Sequence, residues 1–337
     1  MDGHGSVGGR AAERILPRTP IGSAGRKRVL AVSTTGGHLA ELRELLPRML
    51  GAEGTADWVT FDTAQSRSVL AGERVRFVRD IHTRELSAIV ANLRPAGAIL
   101  NSGRYSAVVA SGAAALPFLP LARALGLGCH FIECATRTDG PSVTGRLLGA
   151  VPGVHRYTQH PHWADSTWHY RGSVFDNFHP AGRVHVPRLR RVVVTLGMNP
   201  YPFRRLLDRL VELLPASAQV VWQTGVTDAS GLPIDAHRAL PAHELSRAMA
   251  DADVVVAHAG TGSSLAALDA GRTPLLVPRR AGWGEQIDDH QCLLADDLAA
   301  RGLAITSSVE NLDLATVLRA AGFLAARRSD APSFDLL

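Results

Sequence analysis

Short apolar runs alternate along the chain with stretches whose apolar residues recur at helical spacing. In the first half, buried-type runs rich in valine and alanine predict strands, and the segments between them predict amphipathic helices. The predicted strands are 28–33, 58–61, 75–78, 107–110 and 130–133, and the predicted helices are 39–50, 83–93 and 115–125. This alternation is typical of an α/β protein with a parallel sheet covered by helices.

The same alternation restarts in the second half. Strands are predicted at 190–196, 220–224, 254–257 and 275–277, and helices at 203–214, 242–249, 265–270 and 314–327. We expect the last helix to cross back and cover the first half. A chain of 337 residues favours two domains, each with its own core. The predicted units are a flexible tail at 1–26, domains at 27–185 and 186–327, and a short tail at 328–337.

A glycine-rich turn follows the strand 254–257 and leads into a helix. Gly260, Gly262 and Ser263 place backbone N–H groups and a helix N-terminus above the sheet edge, which favours an anion such as phosphate. Such turns are common in α/β proteins, so this signal is weak by itself. One strand later comes a polar cluster able to bind hydroxyl groups: Glu285, Asp288, Asp289, His290 and Gln291. The two features together predict a sugar nucleotide.

A second glycine turn, Thr34–His38, stands at the start of the helix 39–50 in the first half. It is either plain turn geometry or a site that places His38 at the mouth of the crevice above the sheet, where open α/β sheets bind ligands. A polar loop follows the strand 130–133, and its charged residues are Glu133, Arg137 and Asp139. Glu133 and Arg137 are either functional, since loops at strand ends often are, or a structural ion pair.

Charge, cysteine and histidine usage narrow the class of protein. Residues 1–28 carry +4 of the formal net charge of +5, so the rest is nearly neutral and nucleic acid is not an expected partner. Three cysteines without C-x-x-C spacing favour reduced thiols and a cytoplasmic protein. No run is apolar enough for a transmembrane helix, and no signal peptide is indicated. The six histidines of 154–186 lack zinc-ligand spacing, so no metal is predicted.

The segment 113–127 is unusually apolar. It predicts a buried helix with a proline kink. The alternative is an interfacial patch that docks a lipid-bearing substrate.

The motifs, taken in order, resemble those of GT-B glycosyltransferases of the family 28 type. The resemblance rests on TTGGHLAEL at 34–42, FIECATRTDGPSVTGRLL at 131–148, GSVFDNF at 172–178, VVVTLGMNPYPF, VVWQTG, HAGTGS and GEQIDDHQ, and it spans about residues 28–310. It is strongest toward bacterial exopolysaccharide transferases and the two-subunit GlcNAc transferase of dolichol-linked sugars, and more distant toward the lipid II-forming GlcNAc transferase. It implies two Rossmann-like domains with a cleft between them, the first binding the acceptor and the second the donor.

The resemblance assigns residues to roles. His258 and the turn 260–263 match the diphosphate-binding turn, residues 289–291 match the motif that holds donor sugar hydroxyls, and Gly197 with Asn199 matches an interdomain turn near the phosphates. Some relatives have a ribose-binding glutamate where this chain has Ala266, and Glu285 is the substitute candidate. The candidate donor-binding set is Gly197, Asn199, Gln223, Leu240, His258, Gly260, Thr261, Gly262, Ser263, Ser264, Glu285, Asp289, His290 and Gln291.

The implied reaction is inverting transfer of a sugar from a UDP-sugar to an acceptor hydroxyl. The catalytic candidates are His38 and Glu133, with Asp139 as a further option for the base, and the acceptor-binding candidates are Gly36, Gly37, Arg137 and Asp139. No cofactor or metal is expected. The acceptor is either polyprenyl-diphosphate-linked, which allows contact with the inner face of a membrane, or a natural-product scaffold. The alternatives are a UDP-sugar epimerase on the same fold and a non-catalytic docking subunit.

Overall fold

The computed structural model describes residues 28–51, 54–82, 85–102 and 105–337. The predicted flexible tail at 1–26 lies outside these residues. Two parallel sheets, each covered by helices, account for most of the described chain. The prediction of two α/β domains is therefore confirmed.

The first sheet has seven parallel strands in the order β3-β2-β1-β4-β5-β6-β7. Its order reverses between β1 and β4, which creates a crevice beyond their carboxyl ends. The strands are β1 (Arg28–Ser33), β2 (Ala56–Phe61), β3 (Val75–Val78), β4 (Tyr105–Ser111), β5 (Gly128–Ile132), β6 (Val154–Thr158) and β7 (Trp168–Tyr170), and β8 (Phe178–Arg183) leaves the sheet. The helices are α1 (Gly37–Leu50), α2 (Ala64–Val69), α3 (Leu86–Leu100), α4 (Ala115–Ala124) and α5 (Val143–Leu148).

The second sheet has six parallel strands in the order β11-β10-β9-β12-β13-β14. Here the order reverses between β9 and β12. The strands are β9 (Arg191–Thr195), β10 (Gln219–Gln223), β11 (Ala236–His237), β12 (Val254–Ala257), β13 (Leu275–Leu276) and β14 (Ile305–Thr306). The helices are α6 (Arg204–Leu213), α7 (Ala242–Asp251), α8 (Thr261–Asp269), α9 (His290–Ala300) and α10 (Leu314–Ala320).

The end of the chain returns to the first domain, although not as the predicted helix. The helix predicted at 314–327 ends at Ala320, and β15 (Phe323–Arg327) pairs antiparallel with β8. The predicted tail 328–337 packs on the first domain. There Phe334 is fully buried and its N–H donates to the carbonyl of Arg48, while the N–H of Leu337 donates to the hydroxyl of Tyr157. The pairing of β15 and the packing of residues 328–337 both depend on partners that are distant along the chain.

Buried apolar side chains hold the two domains together. One core cluster combines Leu39 and Leu42 of α1 with Leu265 and Leu268 of α8, so the two helices pack side by side across the domain boundary. This packing brings the start of α1 next to the start of α8, because both helices begin at the cleft.

The apolar segment 113–127 is largely a buried helix. Phe118 and Leu119 of α4 are fully buried in the core of the first domain, which confirms the buried-helix interpretation. Within the described ranges, no helix has both the length and the apolar character needed to cross a membrane.

Candidate active site between two glycine turns

The donor-side turn lies at the reversal point of the second sheet. Helix α8 begins at Thr261, directly after β12 and Gly260, and no side chain caps its first turn. The leading N–H groups of a helix have no partner within the helix, and they carry the positive end of its dipole. The arrangement therefore suits an anion, as predicted for Thr261, Gly262 and Ser263. Ser264 differs, because its hydroxyl donates to the carbonyl of Gly260 at 3.1 Å.

His258 lies beneath this turn and not in the open cleft. Its ring is buried, and burial, together with the charge of Arg279, lowers its pKa to about 3, so the ring is neutral. A Cβ atom on Gly260 would lie 2.2 Å from His258 Nε2, and one on Gly197 would lie 2.3 Å from His258 Cε1. The ring thus supports two backbone turns that only glycine can form. His258 thus supports the turn to which the resemblance assigns it, and its place in the donor-binding set stays a prediction.

The acceptor-side turn faces the donor-side turn directly. Gly36 has φ +81°, and its N–H donates to Gln65 Oε1 at 3.1 Å. A Cβ atom on Gly37 would lie 3.6 Å from the nitrogen of Gly262 and from Thr261 Cβ. Two helix N-termini, one from each domain, therefore meet at one point in the cleft.

His38 stands beside this meeting point and is only partly buried. Its Nδ1 lies 3.1 Å from the Ser111 hydroxyl, at the carboxyl end of β4. The Ser111 hydroxyl therefore orients the imidazole from one side. The sequence placed His38 at the mouth of the crevice, and the structure puts it there.

The structure does not support Glu133 as a base. Its carboxylate is buried, and its oxygens accept hydrogen bonds from the N–H of Cys134 at 3.1 Å and from the N–H and hydroxyl of Ser142, both at 2.9 Å. These contacts hold the loop before α5. A carboxylate engaged in this way organises backbone and is not available to an acceptor.

The predicted alternative of a Glu133–Arg137 ion pair is also wrong. Arg137 Nη1 instead lies 3.2 Å from Asp288 Oδ2 of the second domain. Asp288 also bonds to the His290 ring. A cavity of about 460 Å³ lies between the loop 136–141 and residues 288–293, and Asp139 and Asp289 are among the residues that line it. The cavity thus lies between a loop of the first domain and the predicted sugar motif of the second.

A larger groove of about 720 Å³ lies elsewhere, along the linker 183–187 and α10. None of the predicted site residues lines it. The smaller cavity, in contrast, is lined by Arg137, Asp139, Asp289 and His290 of the predicted site residues.

Glu285 is not free to bind a ribose. Its carboxylate is buried and pairs with Arg205 through two bonds, of 2.8 and 3.0 Å, and it also accepts from the N–H of Arg280. The pair joins α6 to the loop after β13. Glu285 is therefore a structural residue, and its proposed role as a substitute for the missing glutamate at Ala266 is corrected.

Several other donor-side candidates bond to protein groups. Gln223 Nε2 donates to the Thr195 hydroxyl, and Gln223 Oε1 accepts from the N–H of Leu240, both at 2.9 Å. Both residues therefore shape the end of β10 and have limited capacity left for a ligand. Gln291 Oε1 accepts from the N–H of Arg279. Asn199 Oδ1 accepts from the N–H of Tyr201 at 3.0 Å.

Two buried ionisable groups near the two turns were not predicted. Glu41, one turn after His38 on α1, accepts from Cys134 Sγ at 2.9 Å, from the N–H of Ala135 at 3.0 Å and from Gln159 at 2.7 Å. Burial, and next the nearby Cys134, raise the pKa of Glu41 well above its usual value. The second unpredicted group is Arg279. A signal for Glu41 existed, since it falls among the leucines of the buried face of α1.

Comparison with known proteins supports the two-domain fold. Residues 192–321 match the model of the glycosyltransferase family 28 C-terminal domain. A sequence comparison with the curated proteins finds no significant match.

Solved structures share the architecture at low sequence identity. MurG of Acinetobacter baumannii is 17% identical, with 87% of this chain and 89% of that chain covered and a TM-score of 0.54. SnogD of Streptomyces nogalater is 18% identical, with 88% and 90% covered and a TM-score of 0.56. The spinosyn rhamnosyltransferase SpnG, solved with thymidine diphosphate, is 18% identical, with 83% and 86% covered and a TM-score of 0.53.

The fold and the family match together define the class. Two facing Rossmann-like domains form the GT-B fold, and the second domain is of the family 28 kind. The chain therefore has the GT-B fold, and its residues 192–321 match a C-terminal domain of glycosyltransferase family 28.

Proposed function

We propose that this chain is a glycosyltransferase that moves a sugar from a UDP-sugar to an acceptor hydroxyl and inverts the anomeric centre. The observation that carries the proposal is the close approach of Gly37 to Thr261 and Gly262, since a Cβ atom on Gly37 would lie 3.6 Å from Thr261 Cβ and from the nitrogen of Gly262. Because of this approach, His38, which is partly exposed, lies beside the N-terminus of α8, and that N-terminus suits the diphosphate. A base and a site for the leaving group thus face each other across one cleft.

In the proposed reaction His38 is the general base. If Nδ1–H donates to the Ser111 hydroxyl, the lone pair of the neutral ring is on Nε2. Nε2 takes the proton of the acceptor hydroxyl while the acceptor oxygen attacks the anomeric carbon from the side opposite the diphosphate. The bond from that carbon to the diphosphate breaks, and UDP leaves with the bonding electrons. The N–H groups at the start of α8 stabilise the negative charge that develops there.

The donor sugar is proposed to lie against Asp289 and His290, in the cavity of about 460 Å³. Arg137 and Asp139 face this cavity from the first domain, so they are proposed to contact the acceptor. The ion pair between Arg137 and Asp288 would close the cavity on the sugar side.

The acceptor is proposed to be lipid-linked, because two helices of the first domain expose apolar side chains. Leu86 and Val90 of α3 are 73% and 64% exposed, and Val143 and Leu147 of α5 are 70% and 54% exposed. Both helices pack against α4. Exposed apolar groups at the acceptor domain favour peripheral contact with a membrane that carries a polyprenyl-diphosphate glycan.

The alternatives from the sequence gain no support from the site. An epimerase would need further acidic groups in the crevice; of the two that the sequence offers, Glu133 is committed to the loop before α5 and only Asp139 lines the cavity. A docking subunit would not need both glycine turns to meet.

The donor class is tested by thermal shift with UDP-, GDP- and dTDP-sugars, followed by turnover with the sugar nucleotide that stabilises most. We expect UDP-sugars to raise the midpoint most and NMR of the product to show the opposite anomeric configuration. Stabilisation by dTDP-sugars alone would overturn the proposed nucleotide, and retention of configuration would overturn the mechanism. Conversion of UDP-GlcNAc to its epimer without acceptor would identify an epimerase.

The acceptor class is tested by co-sedimentation with vesicles that contain anionic lipid. We expect Leu86→Ser/Val90→Ser to release the protein from the vesicles while UDP still binds. Ser87→Ala, on the same helix turn, serves as the control. Equal sedimentation of the variant and the wild type would exclude this surface as the membrane contact.

A further inference from the structure

Arg279 is a buried cation that is only partly paired. It follows β13, and only 1% of its surface is exposed. Nη2 donates to the carbonyl of Leu196 at 2.9 Å, whereas Nε and Nη1 are buried and have no hydrogen-bond partner among the described residues. Five N–H donors on a guanidinium normally find partners when buried. On Arg279, two of the three nitrogen atoms have no partner among the described residues.

No carboxylate bonds to Arg279 among the described residues. Glu285 is near enough to act on it, but the oxygens of Glu285 bond to Arg205 and to the N–H of Arg280. Burial lowers the pKa of Arg279 to about 10, so the group stays charged at neutral pH. The face of Phe203 lies 5.4 Å from the guanidinium carbon and gives partial compensation. A buried charge left without an anion destabilises a protein, which makes an anionic ligand the expected partner.

Arg279 lies beside Gly197 and His258, which lie directly beneath the proposed donor site; we call these residues the floor of the site. Leu196, which accepts its hydrogen bond, directly precedes Gly197, and Gly197 packs on the His258 ring. The charge of Arg279 also contributes to the lowered pKa of His258. Since His258 is neutral, it cannot balance a diphosphate, and Arg279 carries the positive charge of this floor.

We propose that Arg279 is the fixed counter-charge for the diphosphate of the bound sugar nucleotide. The inference rests on the proposed donor site and adds a charge to the helix N-terminus already described. Arg279 acts in two ways: through its field, and by holding the Leu196–Gly197 turn against the ligand. It is a positioning residue for the leaving group.

The test compares ligands that differ only in charge. Calorimetry measures the dissociation constants of UDP and of uridine for the wild type, Arg279→Gln and Arg272→Gln. Arg272 is a matched control, since it also donates to a backbone carbonyl, that of Ala250. We expect Arg279→Gln to weaken UDP about 10- to 100-fold, as for loss of a charged contact, and to leave uridine unchanged. Arg272→Gln should bind both as the wild type does.

Arg279→Lys keeps the test decisive if the glutamine variant does not fold. A buried lysine loses its proton more readily than arginine, so UDP affinity of this variant should fall between pH 7 and 9, relative to uridine. The wild type should show no such fall. Equal loss of UDP and uridine affinity in Arg279→Gln, or no loss of either, would overturn the counter-charge.

Inorganic pyrophosphate separates this inference from the proposed nucleotide. If the wild type binds pyrophosphate more tightly than Arg279→Gln does but shows no preference for UDP, the counter-charge stands and the proposed UDP donor fails. If both proteins bind pyrophosphate equally, the counter-charge fails whatever the nucleotide.

Discussion

The two glycine turns each carry a histidine, and the two histidines have opposite environments. His38 comes after its glycines, is partly exposed, and has one ring nitrogen beside the Ser111 hydroxyl. His258 comes before its glycines, is buried, and has a pKa lowered to about 3, first by burial and then by Arg279. The first lies where a ligand can reach its ring, whereas the second is enclosed and neutral.

This contrast shows that burial decides what a histidine beside a glycine turn does. The ring of His258 is packed against two turns whose backbones must come within reach of the ligand. The ring of His38 borders the open cleft. The same residue type thus serves as a proposed base in one domain and as a support in the other.

The largest expected effect comes from removing the accessible histidine. We expect His38→Ala to lower turnover by about 10²- to 10⁴-fold, the range for loss of a general base, while the dissociation constant of UDP stays the same. Turnover and calorimetry measure the two quantities. His243→Ala, an exposed histidine of α7, is the control. Turnover of His38→Ala within about twofold of wild type would end the assignment of the base.

The next effect tests the support role of His258. We expect Gly260→Ala to cost about 1–3 kcal/mol of UDP binding, because its Cβ would lie 2.2 Å from His258 Nε2. The double variant His258→Ala/Gly260→Ala should recover part of that loss, since the clash is removed. Calorimetry with UDP checks both. If the double variant binds UDP no better than Gly260→Ala, the ring is not the obstacle.

A pH-dependent effect concerns Glu41, which contacts the loop between the two turns. Cys134, its partner, lies 3.9 Å from the Thr261 hydroxyl. Because burial raises the pKa of Glu41, the folded state binds more protons than the unfolded state above pH 4.5, and stability falls as the pH rises. We expect Glu41→Gln to remove this fall, which is at most about 1.4 kcal/mol per pH unit.

The measurement is urea unfolding of wild type and Glu41→Gln from pH 5 to pH 8. The free energy of unfolding of Glu41→Gln, relative to that of the wild type, should increase as the pH rises. Glu44→Gln, on the same helix but at a partly exposed ion pair with Arg327, is the control and should not show this gain. Parallel pH profiles for Glu41→Gln and wild type would contradict the raised pKa.

The smallest effect concerns the hydroxyl that orients His38. We expect Ser111→Ala to lower kcat about 3- to 10-fold, the worth of one neutral hydrogen bond, without changing UDP binding. Ser111→Thr should restore most of the rate, because it keeps the hydroxyl. A loss of UDP affinity in Ser111→Ala would instead indicate a general disturbance of the cleft.

Much of the fold follows from local patterns. Apolar runs such as 254–257 and the helical spacing of 39–50 predicted elements that the structure contains as β12 and α1. The strands β6 and β7 were missed, because their histidine- and tryptophan-rich segments lack apolar periodicity. The segment of β15 was predicted to be helical, because its partners, β8 and Arg272, are distant along the chain.

The site divides in the same way. The order strand, glycine turn, helix is a local property, so the two turns and the position of His38 were predictable. The roles of Glu133 and Glu285 were not predictable. Each carboxylate bonds to groups that no local sequence pattern identifies as its partners. Arg205 and Glu285 stand 80 positions apart in the chain.

The sequence by itself determined two α/β domains, each opening with a glycine turn at a helix N-terminus, because backbone conformation follows from near neighbours. The tertiary structure alone decided which charged groups are buried and what pairs with them. It made His258 neutral, committed Glu285 to Arg205, and left Arg279 with two unpartnered nitrogen atoms among the described residues. Protonation and pairing depend on desolvation and on contacts between distant residues, and these exist only once the domains have packed.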